Sequence, residues 1–305
     1  MGSTVRASEA VAEDYRAFRA GEAAVRLETW TVFHIAGPDT AAFLQGLGSQ
    51  DLPPGSSRRT YFLTEKGRPL ALAWVRVSED GASAWVVADE GAKDSLHPHF
   101  EKFRVMEEVE FEDASGRFVV LGVAGGSSAR LTGVPEGGAG IVRIDVEPLS
   151  ILLVPPGEES AIRTADTAVF EPWRVAAGLP RACIDFDLDR IATEIDDSGA
   201  ISLTKGCYVG QEVVARTSNR GQVRRRLVTF QYDGSRGPLP AKTDIKTSDT
   251  TVGFVTSSAI EPGSTQGFGM GYISTEALSR GSDLVALQGS TTIPLRPAPG
   301  GHDPS

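Results

Sequence analysis

Ile201-Ser-Leu-Thr-Lys-Gly-Cys-Tyr-Val-Gly-Gln-Glu-Val-Val-Ala-Arg216 is the stretch on which the reading of this 305-residue chain turns. It holds Cys207, one of two cysteines in the chain, between Gly206 and Gly210 and close to Lys205 and Glu212. A thiol acts as nucleophile or metal ligand in its thiolate form, which a neighbouring positive charge favours and apolar burial disfavours. If the segment is extended, Lys205 and Cys207 leave the same face of the backbone, being two residues apart. Gly206 and Gly210 permit backbone angles or close approaches that a side chain forbids. Gln211 and Glu212 can orient the segment through hydrogen bonds. The competing reading makes Cys207 a small hydrophobe in a core.

Outward from this segment, the composition bounds the rest. A chain of 305 residues exceeds a single compact core, so two or three domains are expected, and a hydrophobic fraction of 40% supplies real cores. No apolar run approaches the roughly 20 residues that span a bilayer. The start mixes Arg6, Glu9, Glu13, Asp14 and Arg16 without a signal-peptide core, so the expected address is cytoplasmic, with no membrane partner. Cys183 and Cys207 are too few for a disulfide framework and are expected as reduced thiols. With 40 acidic against 30 basic residues the net charge is -10, which argues against a general nucleic-acid binder and leaves room for a local basic groove.

The element pattern is mixed. Trp30 to Ile35 reads as a strand, and Asp39 reads as the N-cap of a short helix with Phe43, Leu44 and Leu47 on one face. Thr60 to Leu63, Leu70 to Val77 and Ala84 to Ala88 read as hairpin strands. A helix follows over 91–106 despite Pro98, then strands at 109–112, 117–123, 140–146 and 150–154, and a helix near 167–179. This order indicates an α+β fold rather than a doubly wound sheet. From Arg226 five short β-like runs announce a small barrel or sandwich, and residues 298–305 read as a disordered tail.

Among other candidate sites, His97 and His99 lack the third and fourth ligands that zinc takes, so no metal site is expected there. Gly267-Phe-Gly-Met-Gly271 has the wrong spacing for a nucleotide loop and reads as a closely packed strand. Arg216, Arg220, Arg224, Arg225 and Arg226 form the densest basic cluster, either a solvated surface or a counter-charge for an anionic ligand.

The octapeptide 205–212, with Ala215-Arg216 beyond it, closely resembles the signature of the YgfZ/IBA57 family of folate-binding proteins. Phe43-Leu-Gln-Gly-Leu-Gly-Ser-Gln-Asp51, Leu63-Thr-Glu-Lys-Gly-Arg68 and Gly253-Phe-Val-Thr-Ser-Ser258 resemble further segments of that family, so the likeness spans about residues 30 to 275. The family is related to the aminomethyltransferase, or T-protein, of the glycine cleavage system. The resemblance implies a three-domain cloverleaf around a folate-sized channel: two interwoven α+β domains over 22–222 and a C-terminal β-barrel over 223–297.

It also implies a factor for assembly or maintenance of iron-sulfur clusters, partnered by client or assembly proteins, with tetrahydrofolate as small-molecule ligand and a transient cluster as cargo. On that reading Cys207 is the reactive residue, Lys205, Gly206, Tyr208, Gly210, Gln211 and Glu212 complete its motif, and Arg174, Glu194, Arg216 and Arg220 are the candidate ligand contacts. The alternative is folate-dependent aminomethyl transfer. T-proteins carry paired aspartates after the glycine turn, whereas Gly67-Arg-Pro-Leu-Ala-Leu-Ala-Trp74 holds no acid, which removes electrostatic stabilisation of the reacting amine. Ala176 stands where many folate-binding relatives have glutamate. A third reading makes the motif only the seal of a domain interface.

Overall fold

The computed structural model describes residues 2–89, 91–131, 134, 140–195, 199–219, 223–248 and 250–297. After α1 (Gly2–Arg19) the chain lays down β1 (Ala24–Arg26) and then β2 (Thr31–Ala36), and these two strands enter different sheets. There follow α2 (Thr40–Leu47), β3 (Ser57–Leu63), β4 (Pro69–Val77), β5 (Ser83–Ala88), α3 (Ala92–Phe103) and β6 (Glu110–Asp113). The strands pair in the order β3-β4-β5-β2-β6, all antiparallel.

Period-two alternation decides which core each side chain joins. Phe62, Ala71, Ala73 and Val75 face α2 and α3, meeting Phe43, Leu44, Leu47, Leu96 and Phe100. Tyr61, Leu63, Leu72 and Trp74 point the other way into the central core. Burial of both faces explains why β4 reads as an almost unbroken apolar run. Asp39 precedes α2 as expected but does not cap it; its carboxylate accepts the Glu108 amide at 2.8 Å instead. The helix α3 runs through Pro98.

β7 (Val119–Ala124), β8 (Val142–Ile144) and β9 (Leu149–Val154) form a second sheet in the order β1-β7-β9-β8. Ala24 pairs with Val123, so the first sheet is inserted between strands of the second, and the two domains are interwoven. The strand expected over 140–146 is only three residues long.

Three short helices, α4 (Phe170–Ala176), α5 (Ala192–Ile195) and α6 (Gln211–Asn219), lead to the last domain. There β10 (Arg225–Asp233), β11 (Asp244–Thr247), β12 (Thr250–Ile260), β13 (Gln266–Ser274), α7 (Thr275–Ser279), β14 (Leu284–Gln288) and β15 (Thr291–Pro297) build a closed barrel in the order β10-β13-β12-β11-β14-β15. Strand β11 has no counterpart among the five runs read from the sequence. The glycines of 267–271 are what the packing requires. A Cβ on Gly267 or Gly269 would lie 2.5 or 2.4 Å from the rings of Tyr232 or Phe230, their direct cross-strand partners. The expected tail 298–305 lies outside the described residues.

Candidate functional site

The octapeptide is not a strand. It forms a turn that ends at Gly210 and passes into α6. Lys205 enters this turn half-buried, and its ammonium donates to the carbonyls of Gln45, Gly48 and Gln50 at 2.9, 2.7 and 2.8 Å. These groups close the C-terminal end of α2, where carbonyls lack helical partners and the helix dipole is negative. Burial pushes Lys205 down to about 8. The charge expected beside the thiol is therefore engaged with the backbone, and Lys205 acts as a clamp between two segments more than 150 residues apart.

Tyr208 is the second anchor. Its ring is buried in the central core with the Lys205 ammonium 5.3 Å from the ring centroid, and burial pushes its hydroxyl up to about 12. Ser202 accepts the Lys205 amide at 3.1 Å, Gln211 donates to the Lys205 carbonyl at 3.4 Å, and the Val209 amide reaches Gly46 at 3.1 Å. Gly210 has φ +84°, and an added Cβ would meet the Thr64 carbonyl at 2.6 Å. Gly206 faces open space with ordinary φ, so of the two glycines only Gly210 is sterically required. Glu212 is exposed on the first turn of α6.

Between these anchors Cys207 is exposed, which removes the reading of it as a core hydrophobe. Cys183 is exposed as well. The arrangement holds the backbone on either side of an exposed cysteine. Among the described residues no group of three or more His, Cys, Asp or Glu side chains is placed to hold a metal ion. His99 is buried with Nε2 unpartnered, and burial pushes it down to about 4.

The candidate ligand contacts are dispersed. Arg174 is 1% exposed, and all of its N–H groups are engaged: with Glu171 at 2.9 and 2.5 Å, Asp185 at 2.6 Å, the Leu179 carbonyl at 2.8 Å and Ser257 at 2.9 Å. It is a bolt between α4 and the barrel rather than a free guanidinium. Asp185 completes the bolt by accepting the Thr256 and Ser257 hydroxyls, each at 2.6 Å on the same oxygen. Adjacent strand residues normally point to opposite faces, but the register of β12 slips between Val255 and Ser257, and this bulge turns both hydroxyls to one acceptor. Glu194 accepts the Ile191 amide at 3.2 Å at the start of α5. Arg216 is exposed on α6, and Arg220 lies outside the described residues.

A residue the sequence reading missed is Asp89, just past β5. It is 4% exposed, one oxygen accepts the Ala182 amide at 2.9 Å, and the other has no hydrogen-bond partner among the described residues. Desolvation pushes it up to about 6. It lines the central cleft with Trp30, Leu72, Trp74, Phe170 and Arg174, where the cavity is about 10 Å³. That is room for one water at most. An apolar strand end followed by an acid, Val86-Val-Ala-Asp89, is the signal for it.

Residues 225–299 match the family described as the glycine cleavage T-protein C-terminal barrel domain. The chain is 26% identical over 236 residues to the mitochondrial iron-sulfur cluster assembly factor IBA57 homolog of Mycosarcoma maydis, covering 69% of this chain and 57% of that protein. It is 28% identical over 240 residues to the tRNA-modifying protein YgfZ of Klebsiella pneumoniae, covering 70% and 72%. Over about 70% of its length this chain is similar to IBA57 and YgfZ proteins. The fold agrees: glycine cleavage system aminomethyltransferase T from Bartonella henselae superposes with a TM-score of 0.78 at 18% identity, covering 95% of this chain and 89% of that one. This chain therefore has the T-protein fold, with two interwoven α+β domains and a closed six-stranded barrel. Among its described residues no helix is long and apolar enough to cross a membrane, and the Mycosarcoma maydis protein is named as mitochondrial.

Proposed function

We propose that this protein serves the assembly or maintenance of iron-sulfur clusters in partner proteins, with Cys207 as its reactive group. The observation that carries the reading is the exposed Cys207 on a turn clamped by Lys205, buried at Tyr208 and seated by Gly210 against the β3–β4 turn. Rigid support on both sides of an accessible thiol suits repeated encounter with a partner. A cluster normally takes four thiolates, so one cysteine would hold cargo only with ligands from a client, an assembly protein or small thiols. Exposure of Gly206 and Cys207 leaves space for such a partner.

Tetrahydrofolate, which the resemblance implies, does not fit the central cleft of this structure. The cavity is about 10 Å³, Ala176 supplies no acceptor, and the Arg174 donors are already taken. No step is derived through it. Aminomethyl transfer has one feature in its favour, the buried acid Asp89, but Leu72 and Trp74 fill the wall around it. Turnover of tetrahydrofolate with an aminomethyl donor would restore that reading.

The test is complementation. In cells lacking the corresponding gene, the wild-type chain is expected to restore cluster-dependent enzyme activities and Cys207→Ser to fail while folding normally. Equal restoration by Cys207→Ser would overturn the proposal.

A further inference from the structure

A groove of about 890 Å³ lies at the seam between the five-stranded sheet and the sheet of β8. It sits at the open end of the β3–β4 hairpin, away from the turn that carries Gly67 and the Cys207 loop. Its size is that of a small-molecule site. Three arginines line it: Arg76 from the hairpin, Arg143 from β8, and at its edge Arg58, which pairs with Val75 and so leaves β3 on the other face of the sheet from Arg76.

Strand register builds the hairpin wall. Ser57 lies opposite Arg76, and Arg76 lies opposite Trp85, so one cross-strand row carries a hydroxyl, a guanidinium and an indole. Ser78 and Ser83 continue the wall, and the buried Ser56 hydroxyl has no partner.

The arginines are loosely engaged. Arg76 reaches Ser57 at 3.3 Å and the exposed Glu79 at 3.4 Å, Arg143 reaches the Ser128 hydroxyl at 3.0 Å, and Arg58 reaches its neighbour's carbonyl at 2.9 Å. Contrast Arg174, whose donors are all fixed by short bonds. Two carboxylates stand at the groove: Asp145, one of whose oxygens accepts the Ser128 amide at 2.9 Å, and Glu79, which pairs with Arg76 and lies against Gly55. Three arginines against the carboxylates of Asp145 and Glu79 leave this groove net positive in a chain of net charge -10. Guanidinium groups present paired N–H donors that match the oxygens of phosphate and carboxylate.

We propose that this groove binds a small oxyanion carrying at least two negative charges, held between Arg76 on one wall and Arg143 on the other, with serine hydroxyls completing the contacts. The ligand class is phosphate esters and polycarboxylates, whose shared chemistry is oxygens spaced for guanidinium forks. The site is separate from Cys207 and does not depend on the iron-sulfur reading.

Isothermal titration of the full chain with pyrophosphate and with citrate, at low ionic strength, tests this. Saturable binding of one or both is expected, with preference for pyrophosphate assigning phosphate esters and preference for citrate assigning polycarboxylates. Arg76→Gln and Arg143→Gln are each expected to weaken binding about tenfold or more, since each removes charge-assisted hydrogen bonds. Arg280→Gln, on the exposed α7 end and paired with Glu276, serves as a charge-matched control and should leave binding unchanged. Absence of saturable binding by either anion, or equal binding by an Arg76→Gln, Arg143→Gln double variant that retains the wild-type melting temperature, would overturn the proposal.

Discussion

Gly67 and Gly210 meet across two turns so closely that a Cβ added to Gly210 would lie 3.1 Å from the Gly67 Cα. Both have positive φ, +67° and +84°. A Cβ on Gly67 would in turn lie 2.9 Å from the Val213 Cβ. This contact seats the Cys207 loop on the β3–β4 turn and sets where α6 begins.

Substitution at the two motif glycines should therefore separate. Gly210→Ala adds a left-handed strain and a clash with the Thr64 carbonyl, and a loss of about 1–3 kcal/mol is expected. Gly206→Ala meets nothing and should stay within about 0.5 kcal/mol of wild type. Urea denaturation checks both. If Gly206→Ala is stable yet loses complementation, the small residue serves a partner contact.

Lys205→Met leaves the carbonyls of Gln45, Gly48 and Gln50 without their shared donor, and a destabilisation of about 1–3 kcal/mol is expected. Lys205→Arg should not restore it, because a planar fork cannot place donors on three carbonyls around one point. A variant that kept full stability but slowed alkylation of Cys207 would instead return Lys205 to the role of thiol partner.

Asp89 makes stability depend on pH in a defined direction. Its folded value of about 6 lies above the ordinary 3.8, so the folded state favours the protonated carboxyl. The penalty is absent below about pH 4, grows as pH rises towards 6 and is full above it, about 3 kcal/mol at most. Asp89→Asn should accordingly gain stability relative to wild type between those values. Melting temperatures of the pair across pH 4 to 7.5 test it, and a constant difference would contradict the assignment.

The Arg174–Asp185 pair should be costly to break from one side. Arg174→Met leaves Asp185 buried with only hydroxyl and amide donors, and a loss of about 3–5 kcal/mol is expected in chemical denaturation. Ser257→Ala removes one hydrogen bond from each partner and should cost about 1–2 kcal/mol.

The elements whose evidence is local were legible. Alternation in 60–63, 70–77 and 84–88 announced three strands, and the alternate glycines of 267–271 announced close packing that proves to be Phe230 and Tyr232 lying over them. The helix α6 was missed because Gly210 and the β-branched Val213, Val214 and Thr217 mask its start and interior. Strand β1 was missed because three residues carry no periodicity, and it exists through its pairing with β7.

The sequence alone determined the motif, the alternation of buried faces and the net charge, because these are properties of neighbouring residues or of sums. Tertiary structure decided what each charged group does. Lys205 finds its acceptors 155 to 160 residues away, Arg174 and Asp185 share a hydroxyl 83 and 72 residues on, and Trp30, Trp74 and Phe170 converge to close the cleft beside Asp89. A buried polar group takes its partner from whatever the topology brings within hydrogen-bond reach, and no local pattern encodes that distance.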